Sequence, residues 1–129
     1  MLEAVRDGRL SELRQLIDAG ADLDATTDDG NNALWLAAAT GNLAAMQILL
    51  EAGVSIDHRN PDGATTLIYA ASAGKADVVA LLLHYGANTT PETLDGFTAL
   101  DLAATGECLT LLRRTQPHRR TAGGGQKAS

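Results

Sequence analysis

The sequence predicts an all-α fold, a solenoid of stacked 33-residue units, and three observations predict it. The first is a period found by sliding the chain against itself. Asp29-Gly30, Asp62-Gly63 and Asp95-Gly96 recur every 33 residues, as do Gly20, Gly53 and Gly86, then Gly8, Gly41 and Gly74, then the pairs Ala37-Ala38, Ala70-Ala71 and Ala103-Ala104. The second is composition: 45% of the 129 residues are hydrophobic but only 3% are aromatic, so Leu, Val, Ile and Ala must fill the core. Closely packed helices suit that inventory better than a β-sandwich, which needs β-branched and aromatic strands. The third is local spacing: Leu43, Met46, Leu49 and Leu50 fall at i, i+3, i+6 and i+7, one apolar stripe on a helix. A single helix cannot bury such a stripe alone, so adjacent units must stack.

Each unit opens on Asp-Gly, a turn dipeptide whose glycine is free to take positive φ, and this marks the tip of a hairpin-like loop. A short helix follows and ends near the Ala-Ala pair, as in residues 33–39, where small side chains let a neighbouring helix approach. Gly41 or Gly74 closes it. A second helix, expected over residues 43–51 in the second unit, ends at Gly53, and its counterpart at Gly86. Residues 1–26 make an N-terminal repeat without a leading turn, residues 27–59 and 60–92 two full repeats, and residues 93–116 the last, all in one domain. In that fourth unit Gly106 comes one residue before the period requires, and a brief second helix is expected over residues 108–114. Atypical ends of this kind mark capping repeats. Residues 117–129, with Gly123-Gly124-Gly125 and a basic, polar composition, are expected to form a disordered tail.

These units resemble the ankyrin repeat, a β-turn and two antiparallel helices in 33 residues with a Thr-Pro-Leu-His-x-Ala signature. Leu34, Leu67 and Leu100 stand at the signature leucine; Ala37, Ala70 and Ala103 at the alanine; Thr65 and Thr98 at the threonine, with Asn32 in its place one repeat earlier. The strings from Leu16 to Asp22 and from Leu82 to Asn88 resemble the family's repeat ending, and the likeness runs from about Leu2 to about Arg114. The signature proline is replaced by Ala33, Thr66 and Ala99, and the histidine by Trp35, Ile68 and Asp101. Apolar packing is therefore expected to replace polar bonding between the middle repeats.

Charge is unevenly placed. All sixteen carboxylates lie between Glu3 and Glu107 with five cations, giving residues 1–112 a net charge of −11, whereas Arg113, Arg114, Arg119, Arg120 and Lys127 lie beyond them. Such a body repels a phosphate backbone and favours a basic protein surface, although the charge also serves solubility. Four of the tail cations, Arg113, Arg114, Arg119 and Arg120, either neutralise the body or touch a phosphate surface weakly. The lone Cys108 forbids an intrachain disulfide or a cysteine-based metal site and fits a reducing, cytoplasmic compartment. No apolar run approaches the roughly 20 residues that span a bilayer, and no charged-then-apolar leader opens the chain.

No catalytic constellation emerges, and no cofactor or metal is expected. His58, His84 and His118 lie at unrelated places in the repeat, Asp57-His58 is an adjacent acid and base in a loop without a pocket, and the glycine run precedes neither helix nor strand. The resemblance implies instead a monomeric protein-interaction module, an adaptor or an inhibitor that occupies its target. It points to the turn tips, Asp28, Asp29 and Asn31, then Pro61, Asp62 and Ala64, then Leu94, Asp95 and Phe97. On the groove side of the first helices it points to Ala39, Thr40, Ser72, Ala73 and Thr105. Phe97 is the leading apolar anchor. Trp35 is read first as a filler between repeats opposite Ile68 and second as a partner contact, and Tyr85 as a cover over the apolar seam. The alternative function is a structural or targeting segment of a larger protein.

Overall fold

A computed structural model describes residues 1–115. The expected tail at 117–129, and residue 116, lie outside that span. Among the described residues eight helices run in four pairs: α1 (Leu2–Asp7) and α2 (Leu10–Asp18), α3 (Ala33–Thr40) and α4 (Leu43–Ala52), α5 (Thr66–Ser72) and α6 (Ala76–His84), α7 (Ala99–Leu102) and α8 (Gly106–Thr115). The first helices form one layer, α1 on α3, α3 on α5 and α5 on α7, and the second helices form the other, with α2 on α4 and α6 on α8. Hairpins project between successive pairs.

Side-chain caps start the helices at a fixed phase of the repeat. Asn32, Thr65 and Thr98 each accept the N–H three residues on, at 3.2 Å from Trp35, Ile68 and Asp101. Asp101 reciprocates by accepting the Thr98 N–H at 2.9 Å, which completes a capping box. Asn32 thus performs the capping role of the signature threonine, and its amide also donates to the Ser55 carbonyl at 3.0 Å. Gly41 ends α3 at φ 73°, a left-handed conformation that would strain any residue with a Cβ.

The core is a seam of small and branched side chains. Ala37, Ala38, Ala70 and Ala71 are completely buried between helices, with Leu34, Leu67, Met46, Leu49, Val78, Val79 and Leu82 around them. Alanine at these positions lets helix axes approach toward the lower end of the ~8–10 Å range, which is how an interior with so few rings reaches full density.

The last repeat departs from expectation. Ala103 and Ala104 are not helical: α7 stops at Leu102, and Ala103 turns to an extended ψ of 118°. The Ala104 N–H instead donates to the Ala71 carbonyl at 3.0 Å, a carbonyl at the C-terminal end of α5. Helix α8 then starts at Gly106 rather than at residue 108 and runs ten residues, as long as α4. Thr105 caps it, its hydroxyl accepting the Cys108 N–H at 3.2 Å. The shortening of this repeat therefore falls on the first helix, four residues in α7 against seven in α5, and the second is not shortened.

Candidate functional site

The three hairpins are closed by the same pair of hydrogen bonds. In the first of them Thr27 N–H donates to the Asn31 carbonyl and Gly30 N–H to that of Thr27, each at 2.9 Å. Asn60–Ala64 and Gly63–Asn60 repeat this at 3.0 and 2.8 Å, and Thr93–Phe97 and Gly96–Thr93 at 2.9 Å each. Each Asp-Gly pair is thus a turn former, and the carboxylates of Asp28, Asp29, Asp62 and Asp95 remain exposed.

The tips are stitched to one another. Asn60 donates its amide to Asn31 Oδ1 at 3.1 Å, and Leu94 N–H donates to the Asp62 carbonyl at 3.0 Å. His58 Nε2 lies 2.8 Å from the Gly30 carbonyl and must carry the proton, because a carbonyl only accepts. Arg59 donates to the carbonyls of Gly63, at 3.0 Å, and of Glu92. Asp57 accepts the Asn88 N–H at 2.9 Å. The loop that set an acid beside a base in sequence is therefore spent on holding hairpins in register.

Two concavities open along this edge. One, of about 650 Å³, gathers Asp28, Asp29, Asn31 and Trp35 with Leu2, Glu3 and Arg6 of α1. The first repeat brings no hairpin, so here the neighbouring tip is flanked by α1. The other, of about 540 Å³, gathers Asp62, Leu94, Asp95 and Phe97 with Thr93 and Leu102. Leu94 and Phe97, 76% and 47% exposed, are the large hydrophobic side chains most open to solvent among the described residues. The ion pairs among the described residues join Arg9 to Asp7 and Glu12, away from both concavities, and none involves Asp28, Asp29, Asp62 or Asp95.

The remaining candidates fall elsewhere. Thr40, Ser72 and Ala73 are exposed at the ends of α3 and α5 and line neither concavity. The two hydroxyls are turned back onto their own helices, donating to the Ala37 and Tyr69 carbonyls at 3.0 and 2.9 Å. Ala64 is half-buried and serves the second hairpin closure.

The ring against Trp35 is Tyr69, not the expected Ile68: the centroids are 4.8 Å apart with planes 27° from parallel. Ile68 is buried in the core instead. Comparison of identical repeat positions pairs residues 33 apart, whereas the packed rings are 34 apart in the chain, so the offset between neighbouring helices hid Tyr69. Glu3 and Arg6 were missed as well, since a repeat without a hairpin gave no register for them.

On the layer of second helices a smaller hollow of about 280 Å³ is lined by Arg14, Ile17, Asp18, Ile48, Glu51 and Ala52. Tyr85 donates its hydroxyl to Glu51 Oε2 at 3.2 Å. Loss of solvent, then that hydrogen bond and the negative charge of Glu51, raise its phenol above the ordinary 10.0. Among the described residues, no three His, Cys, Asp or Glu side chains are grouped to hold a metal ion, and no helix is long and apolar enough to cross a membrane.

The geometry offers an exposed acidic edge with apolar anchors rather than a closed pocket with convergent reactive groups, and known proteins carry the same architecture. No curated protein matches the chain by sequence. Among solved structures it is similar to the ankyrin repeat domain of Bcl-3, a member of the IkappaB protein family, at 26% identity and a TM-score of 0.83. That alignment covers 85% of this chain and 49% of the other, so the chain spans about half the length of that domain. A family model described as ankyrin repeats (3 copies) matches residues 1–93 and 53–120. The chain therefore belongs to the ankyrin repeat family, whose members are in general non-catalytic modules that bind other proteins.

Proposed function

We propose that this chain holds a partner protein with a basic surface along the edge formed by its hairpin tips and first helices, as an adaptor or as an inhibitor that occupies its target. The observation that carries this reading is the row of exposed carboxylates at Asp28, Asp29, Asp62 and Asp95, set on hairpins bonded to one another and, among the described residues, in no ion pair. Exposed negative charge on hairpins that are bonded to one another favours encounter with a cationic surface and sets its orientation. The body is disfavoured as a nucleic-acid binder by the same charge, and a reducing compartment suits its lone thiol. Salt should weaken partner capture by the parent, and conversion of Asp29, Asp62 and Asp95 together to Lys should abolish it; capture by the triple variant equal to that of the parent would remove the acidic edge from the account.

A second reading, favoured by the half-length match to the solved domain, is that these repeats serve as a structural or targeting part of a larger protein. The mass of the endogenous protein in its source cell separates the two.

A further inference from the structure

Two positions that meet between the second and third repeats are occupied differently between the first and second. Tyr85, just past α6, reaches back over the layer of second helices to α4, where its hydroxyl donates to Glu51 Oε2 at 3.2 Å. One 33-residue period earlier these places belong to Ala52 and Asp18. Ala52 offers a methyl where Tyr85 offers a ring, and the hollow of about 280 Å³ between α2 and α4 opens there, lined by both residues. Ile17 and Ile48 give it half-buried apolar walls, and Arg14, Asp18 and Glu51 stand exposed around it.

The next junction therefore shows what fills such a hollow: one phenol ring, with its hydroxyl on a carboxylate. At about 280 Å³ the space falls below the roughly 300–1,000 Å³ of small-molecule sites and suits a single side chain. The carboxylate is in place, since among the described residues Asp18 enters no side-chain hydrogen bond and no ion pair, whereas Glu51 already holds Tyr85. The chain's own two tyrosines are engaged elsewhere, Tyr69 on Trp35 and Tyr85 on Glu51. A phosphorylated ring fits poorly, because its charge would meet Asp18 and Glu51 against the single guanidinium of Arg14.

We propose that this hollow seats an unphosphorylated tyrosine of a partner protein, with its ring against Ile17 and Ile48 and its hydroxyl donating to Asp18. Tyrosine suits the place because its rigid ring buries apolar area at a small cost in entropy while its tip keeps a hydrogen bond. The contact lies on the second helices, away from the hairpin tips, and is independent of the acidic edge: either stands if the other fails.

Amide-resolved NMR titration of the full chain with N-acetyl-tyrosinamide tests it. The expected result is a saturable perturbation of residues 14–18 and 48–52, with a dissociation constant in the millimolar range. N-acetyl-phenylalaninamide should bind about fivefold more weakly for want of one hydrogen bond, and the phosphotyrosine amide more weakly still. Asp18→Ala should erase the preference for tyrosine over phenylalanine with circular dichroism unchanged, since Asp18 is exposed. Ala52→Tyr should place the chain's own ring in the hollow and abolish binding; if that variant does not fold, Asp18→Ala still decides. No saturable perturbation, perturbations centred on the hairpin tips, equal affinity for the two amides in the parent, or unchanged binding in folded Ala52→Tyr overturns the proposal. Tighter binding of the phosphotyrosine amide would give the hollow to a modified ring and overturn it too. Self-association in sedimentation that Ala52→Tyr abolishes would give it to a second copy, with the same consequence.

Discussion

Trp35 and Tyr69 stack across the boundary between two repeats, centroids 4.8 Å apart, where the family signature places a histidine at residue 35 and a variable position at residue 69. Offset stacking of this kind adds about 0.5–1.5 kcal/mol beyond the area buried. A double-mutant cycle of Trp35→Leu and Tyr69→Leu, read by urea unfolding with circular dichroism, should return a coupling in that range. A coupling near zero would mean that the rings merely fill space.

The glycines at the hairpin tips share one left-handed conformation but not one environment. Gly30→Ala adds a clash with Pro61 to the strain of a positive φ and should cost about 2–4 kcal/mol, whereas Gly96→Ala bears the backbone strain alone, about 1–2 kcal/mol. Chemical denaturation of both variants checks the order. Equal losses would mean that the hairpins are not packed as described.

Ala71 is completely buried, and its carbonyl reaches the last repeat by accepting the Ala104 N–H. Ala71→Leu should cost about 1–3 kcal/mol by overpacking and should loosen the last repeat first. Hydrogen exchange should accelerate at Ala104 and through α7 more than in α1 to α4. Uniform acceleration would instead indicate a single cooperative loss.

Tyr85 should titrate above the ordinary 10.0 in a tyrosinate absorbance measurement on the Tyr69→Phe variant, where it is the one tyrosine left. The folded value is raised above the unfolded one, so the associated stability is fully present below the ordinary 10.0 and is lost as pH rises through the folded value. Glu51→Gln removes the neighbouring charge and should lower the phenol toward its ordinary value. No change in Glu51→Gln would leave loss of solvent as the only cause.

The hairpin tips and the first-helix starts were legible because each depends on short-range chemistry: Asp-Gly for the turn, and Asn32, Thr65 and Thr98 at the positions that cap the helices. The clustering of Asp62, Leu94, Asp95 and Phe97 was half legible. Their places in the repeat put them at tips, but nothing in the chain stated that Leu94 would bond to the Asp62 carbonyl and bring the two tips into one concavity. Thr40 and Ser72 read as groove residues by position, yet a hydroxyl near a helix end has a carbonyl of its own turn within reach, and that local bond wins.

The sequence by itself determined the solenoid: the 33-residue period, the helix pairs and the alanine seam follow from turn formers, caps and apolar spacing that act within a few residues of one another. Tertiary structure alone decided which ring Trp35 meets and that the last repeat shortens α7 rather than α8. Those outcomes depend on the lateral offset of stacked helices and on the competition of carbonyls such as Ala71 for donors far along the chain, which a periodic reading of one repeat at a time does not contain.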